Sequence, residues 1–96
     1  MLIIKIMPRP KKYRRTYCDP ASYYFKPRGI PMRELEECIL EKDELEALKL
    51  ADFDNLSHEE GAEEMKISRA TFGRILKSAR YKIAGSILKG MAIKIS

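Results

Sequence analysis

All five prolines of this 96-residue chain fall between residues 8 and 31, and none follows. Proline fixes its own φ, lacks an N–H and pushes the residue before it toward extended backbone. Prolines at 8, 10, 20, 27 and 31 exclude a long helix from the first third and leave 32–96 free to form one. Residues 1–31 are thus expected to be an extended arm, and 32–96 a helical domain. The arm need not lack structure. Tyr13, Tyr17, Tyr23, Tyr24 and Phe25 give it apolar bodies that can lie against a helical core. A chain of this size buries only about 60–65% of its unfolded surface, so one modest core is expected and dimerisation is favoured.

The proline-free part carries helix signals. In "MRELEECIL" (32–40), Leu35, Cys38 and Ile39 recur at helical spacing. Asp43 is placed to cap a helix over about 43–53, where Leu45, Leu48 and Ala51 share a face. "DNLS" breaks the pattern, and Ser57 with Glu60 three residues on spells a capping box. Met65, Lys66 and Ile67 end that second helix. Ser68 is the next N-cap, and a third helix is expected to about Ala84, where Gly85 and Ser86 loosen the pattern. At the termini, "MLIIKIM" (1–7) and "MAIKI" (91–95) alternate as short strands do, and two such pieces could pair within or between chains.

Capped helix, tight turn and capped helix over 57–84 is the pattern of a DNA-binding helix-turn-helix. Such a crossing needs a small residue in its first helix, here Ala62 with Gly61 beside it, and apolar residues around the turn, here Met65 and Ile67. At about 100° per residue, Phe72, Ile75, Leu76, Ala79 and Ile83 form one core stripe. Ala70, Arg74, Lys77 and Tyr81 lie opposite, Gly73 flanks them, and Arg69 and Thr71 occupy the first turn. Ala70 and Gly73 keep that face low enough for close approach to a groove floor. Arg74 could then reach guanine O6/N7, and Ser68 with the N-terminal amides suits a phosphate. The same helix pair occurs in plain bundles, where such a basic face meets only water. The turn position that usually holds Gly is Lys66, so either Lys66 is left-handed or the turn differs.

Charge separates along the chain. Residues 1–33 sum to +8, residues 34–64 to −11, and residues 65–96, with no acid at all, to +8. Surfaces selected for solubility alone mix the signs. Basic blocks at both ends point to a polyanion, most simply nucleic acid. An acidic middle that only neutralises the ends within the fold would give the same map. "PRPKKYRR" (8–15) holds five basic residues in eight. Arg9, Lys11, Lys12, Arg14 and Arg15 could follow phosphates or enter a minor groove, or could strap onto the domain's own acidic middle. Cys18, Cys38 and His58 are isolated, which gives no metal-site spacing, and leaves little from which to build an enzyme. No cofactor is implied. No targeting or membrane-spanning segment is recognisable, so the cytoplasm is the expected location, where a Cys18–Cys38 disulfide is disfavoured.

"MPRPKKYRR" from Met7, "YFKPRGIPMRELEE", "LEKDELEALKLAD" and "LSHEEGAEEMKISRATFGRILKSARYKIA" together resemble the domain-of-unknown-function 134 family over about residues 7–92. These are small prokaryotic proteins regarded as predicted DNA-binding proteins. The helix pair is similar to region 4 of sigma-70-type factors. The resemblance implies a mostly α, three-helix, sigma-70 region 4-like fold, with Arg69, Thr71, Arg74 and Lys77 at recognition positions. Lys66 departs from the family's usual Gly, and residues 1–6 precede its usual start. Some relatives carry a further C-terminal metal-cluster-binding domain; the resemblance stops short of it, so ligand sensing is not expected. The expected function is sequence-specific binding of double-stranded DNA by a homodimeric transcriptional regulator. Rivals are an adaptor that docks on RNA polymerase through the acidic 34–64 surface, and an RNA-binding module.

Overall fold

A computed structural model describes residues 15–96 of the chain. Three helices, α1 (Lys42–Leu48), α2 (His58–Met65) and α3 (Arg69–Lys89), stand against a small sheet. Its strands are β1 (Tyr24–Phe25), β2 (Glu37–Leu40) and β3 (Ala92–Ile95). β3 lies in the middle, antiparallel to β1 and parallel to β2.

The caps explain where the helices start. Ser57 Oγ accepts from the Glu60 N–H at 3.1 Å, and Glu60 accepts from the Ser57 N–H at 2.9 Å, so the expected capping box forms. Ser68 Oγ likewise accepts from the Thr71 N–H at 3.1 Å and opens α3. The first helix is capped differently. Glu41, not Asp43, is its N-cap, in a reciprocal box with Glu44. Asp43 then stands inside the helix. α1 passes into a wider π-type turn over Lys49–Phe53, closed by the Asp54 N–H donating to the Lys49 carbonyl at 2.8 Å.

Three expectations are corrected. Residues 32–40 are not helical. Met32–Glu34 form one 3-10 turn and Glu37–Leu40 form β2. Alternation puts Leu40 in the core and Ile39 outward, and pairing with β3 from Glu37↔Ala92 to Leu40↔Ile95 outweighs the local helical spacing. α3 does not end near Ala84 but runs to Lys89. There Gly90 (φ 67°) closes it, with the Met91 N–H donating to the Ser86 carbonyl at 2.9 Å. Finally, the arm's aromatic residues do not all cover the core. Tyr17, Tyr23 and Phe25 are exposed, because the arm is anchored by polar contacts given below. Tyr13 lies outside the described residues. The strand expected at 91–95 forms, but both its edges are taken by β1 and β2. The segment "MLIIKIM" lies outside the described residues.

The core has two lobes. Ala47, Leu50, Ala62, Met65, Phe72, Ile75 and Leu76 join the helices. Leu40, Ala79 and Ile95 join α3 to the sheet, with Ile83 packed alongside. The expected core stripe of α3 is therefore the one that packs. Its centre is Phe72, fully buried against Gly61. A Cβ added at Gly61 would overlap the Phe72 ring, with Cε1 at only 2.7 Å. Ala62 is also buried, but Gly61 is the residue that lets α2 and α3 approach. Gly61→Ala should destabilise the domain by roughly 1–3 kcal/mol through overpacking. Denaturant unfolding checks this, and an unchanged midpoint would show that the ring can move aside.

Candidate nucleic-acid interface

The turn between α2 and α3 fixes how the start of α3 is presented. Lys66 takes φ 59°, ψ 46°, the left-handed conformation that its position requires of any residue. The Ile67 N–H donates to the Ala62 carbonyl at 3.0 Å, and the Lys66 N–H to the Glu63 carbonyl at 3.2 Å. These are the two bonds of a Schellman closure. Ile67, half-buried, packs on the Ala62 cluster. The turn thus closes in the usual way despite the lysine.

From it emerges a small network. Ser68 Oγ donates to Thr71 Oγ1 at 2.9 Å, and Arg74 Nη2 donates to the same Thr71 Oγ1 at 3.1 Å. Arg74 is thereby held along the first turns of α3 with its side chain exposed. Ser68, Arg69, Ala70, Arg74, Lys77 and Tyr81 are all exposed, and Thr71 and Gly73 are half-exposed. The structure brings Ser68, Thr71 and Arg74 into contact. Arg69, Ala70, Gly73, Lys77 and Tyr81 share the open face around them. A Cβ on Gly73 would meet nothing nearer than His58 Nδ1 at 3.8 Å, so packing within the chain does not require glycine there.

Acids occupy the first turns of α1 (Asp43, Glu44) and α2 (Glu59, Glu60), where they complement the positive helix end. The first turn of α3 has none and begins with Arg69. Farther along, Arg80 holds Asp52 in a two-point pair at 2.6 and 3.1 Å. That bond keeps the Asp52 carboxyl below the usual carboxylate range. It ties α3 to the turn after α1.

Arg9, Lys11, Lys12 and Arg14 lie outside the described residues. Arg15 is described, and its contacts are internal. Its N–H donates to the Met65 carbonyl at 3.1 Å and its Nε to the Glu64 carbonyl at 2.9 Å, while its guanidinium lies 5.3 Å from the centre of the Tyr17 ring. It therefore sits on the negative, C-terminal end of α2, beside the turn. The N–H groups of Tyr17 and Cys18 donate to the buried carboxylate of Glu46 at 2.9 and 2.7 Å. Backbone groups thus fasten residues 17 and 18 to the acidic middle, while the strap expected of residues 8–14 lies outside the described residues. Burial, then the neighbouring Glu46, pushes the Cys18 thiol up, away from a reactive thiolate. Cys18 and Cys38 are both free and half-buried.

Sequence reasoning missed Glu46 and Glu44. Glu44 accepts from Ser78 Oγ at 2.6 Å and from Lys82 Nζ at 2.8 Å, and Lys82 also donates to the Ile39 carbonyl at 2.8 Å. One carboxylate thus links α1, α3 and β2. Nothing local marks either glutamate, since both stand among many surface acids. Among the described residues, no group of three or more His, Cys, Asp or Glu is placed to hold a metal ion. No described helix is long and apolar enough to cross a membrane.

The model of the family described as Protein of unknown function DUF134 matches residues 4–96. The chain belongs to this family. The match takes in residues 4–6, so the family's start lies ahead of the Met7 that the resemblance implies. A UPF0251 protein of Desulfosudis oleivorans is 54% identical over 93% of this chain and 64% of its own length. One of Pelotomaculum thermopropionicum is 50% identical over 94% and 68%. One of Caldanaerobacter subterraneus subsp. tengcongensis is 52% identical over 93% and 75%. The chain thus spans roughly two thirds of the length of these relatives, and less than that of the first. No solved structure matches the chain.

Lys66→Gly should stabilise the domain by about 1 kcal/mol, the approximate penalty of a left-handed non-glycine residue. Thermal unfolding at fixed salt checks this. A loss of stability would mean that the lysine side chain contributes more than its backbone strain removes.

Proposed function

We propose that α2 and α3 form a helix-turn-helix and that the domain binds double-stranded DNA in a sequence-specific manner, as a transcriptional regulator. The observation that carries this is the outward face at the start of α3. It is basic and low, its Arg74 is held by Thr71, and no acid balances its helix end. Ser68 and the first amides would meet a phosphate, Arg69 and Lys77 would flank it, and Arg74 with Thr71 would reach base edges. Ala70 and Gly73 would lie against the groove floor. Arg15, bonded beside the turn, would start the basic arm next to the same duplex. Arg9, Lys11, Lys12 and Arg14 would then follow its backbone. The total of +5, with −11 confined to residues 34–64, leaves both DNA-facing blocks basic.

Selection of bound sites from a random duplex pool, followed by titration across salt concentrations, tests the proposal. An enriched motif is expected, with a log–log salt slope of about 0.9 per phosphate contacted. A flat response would favour an adaptor that docks by its acidic surface. Arg74→Ala should lose discrimination at one position, by roughly 1–3 kcal/mol against the wrong base. Truncation of residues 1–14 should weaken all sequences alike. Equal losses on every sequence for both variants would sink the role given to Arg74. Gly73→Ala should raise stability by up to about 1 kcal/mol, since helix propensity gains and nothing clashes, yet lower affinity for duplex. Tighter or unchanged DNA binding in that variant would remove the groove-floor role.

A further inference from the structure

The C-terminal end of α3 carries a second apolar stripe that the core does not use. Ala84, Ile87, Leu88 and Met91 follow i, i+3, i+4, i+7 spacing. Ile87 and Leu88 are 70% and 85% exposed, and Tyr81 nearby is 77% exposed. Grooves flank the stripe on both sides. One of about 360 Å³ is lined by Phe25, Pro27, Ile87 and Ile93, the other, of about 440 Å³, by Cys38, Tyr81, Gly85 and Leu88. Ser86 and Met91 line both. Ser86 is buried, and its hydroxyl has no hydrogen-bond partner among the described residues.

We infer that this stripe and its grooves are the surface on which a second copy of the chain docks, about a twofold axis near Ala84, Ile87 and Leu88. Three features fit that occupant. The first is area. With about 150–250 Å² per aromatic side chain and roughly 100 Å² per aliphatic one, Phe25, Tyr81, Ile87 and Leu88 expose on the order of 400 Å² of apolar surface. That equals the largest patch on many monomers and is about half of the ~800 Å² that each partner gives to a standard interface. The second is self-complementarity. A twofold contact needs projections and recesses on one patch, and here exposed Ile87 and Leu88 stand beside two grooves. Ala84 and Gly85 leave room for another helix, since a Cβ added at Gly85 meets nothing within 4 Å.

The third feature rests on the DNA-binding reading. At about 100° per residue, a seam centred between Ile87 and Leu88 faces roughly 60° away from the Arg74–Lys77 stripe. Leu88 itself shares the direction of that stripe, so distance along α3 is what keeps the stripe uncovered. At about 1.5 Å per residue, the reading turns lie roughly 20 Å along α3 from the seam. Two antiparallel copies would hold them on the order of 40 Å apart, comparable with the ~34–36 Å between half-sites one helical turn apart.

Sedimentation equilibrium of the full chain without DNA, over a wide concentration range, tests the interface. The wild type is expected to dimerise. Ile87→Glu and Leu88→Glu should each weaken the dimer by at least about tenfold, the effect of losing one well-buried anchor. Both side chains are exposed in the monomer, so circular dichroism should be unchanged. Phe53→Ser, at an equally exposed apolar residue outside the patch, should leave the dimer intact. A wild type that stays monomeric throughout, or a dimer indifferent to both glutamates, overturns the inference. So does a monomer that takes a small apolar molecule or another protein into the grooves. A dimer that binds no duplex would refute the DNA reading while leaving this interface standing, and a monomer that binds duplex would do the reverse.

Discussion

The orientation of every exposed residue on α3 depends on one contact, the Phe72 ring laid against the bare backbone of Gly61. Phe72 is fully buried, and the ring of His58 meets it edge-on at 5.6 Å. With no Cβ at Gly61, α2 and α3 approach closely enough for Met65, Ile75 and Leu76 to close around the ring. Interiors packed at this density do not slide continuously. The crossing is therefore fixed, and with it the direction in which Arg69, Arg74 and Lys77 point. The Schellman bonds at Lys66 fix the other end of the same unit.

Two buried glutamates extend that frame to the rest of the chain. Glu44 joins α1, Ser78 and Lys82 of α3, and the carbonyl of Ile39 through Lys82. Glu46 receives the backbone of Tyr17 and Cys18. Each carboxylate is hydrogen-bonded by several donors, as a charge removed from water must be. Losing either would leave part-buried donors unsatisfied. The sheet and residues 17 and 18 are thus held through α1, while Arg15 returns to the end of α2.

What could be read from sequence divides along the same line. Caps at Ser57 and Ser68 are local, made between residues three apart, and "SHEE" and "SRAT" spell them in full. The core stripe of α3 is periodic, and a period survives whatever it packs against. The strand at Glu37–Leu40 is different. "ECIL" satisfies helical spacing and alternation alike, and the deciding partner, Ala92–Ile95, lies some fifty residues on. The end of α3 was legible in principle. Gly85 and Gly90 both allow a stop, but only Gly90 follows a lysine, and only after it does strand-like alternation begin. Of the face proposed to meet DNA, the position of each residue could be read. The bond from Arg74 to Thr71 could not, nor could the use of Arg15 within the chain, since both depend on how side chains meet in space.

The turn and first residues of α3 show a stability that the domain does without. Lys66 occupies a left-handed site where glycine would be relaxed. Arg69 and the absence of any acid leave the positive end of α3 uncompensated, although α1 and α2 both have acids there. Gly73 lowers helix propensity with no neighbour that demands it. Each departure alone amounts to about 1 kcal/mol or less and calls for no special cause. Together they fall within eight residues of one surface, and the proposed anionic ligand would turn all three to use. Phosphate would satisfy the helix end and Lys66 together, and Gly73 would let the backbone approach it. In the core of the same two helices, by contrast, capping, periodicity and packing agree. A sequence consistent inside and inconsistent on one exposed face is what the proposed contact with DNA would require.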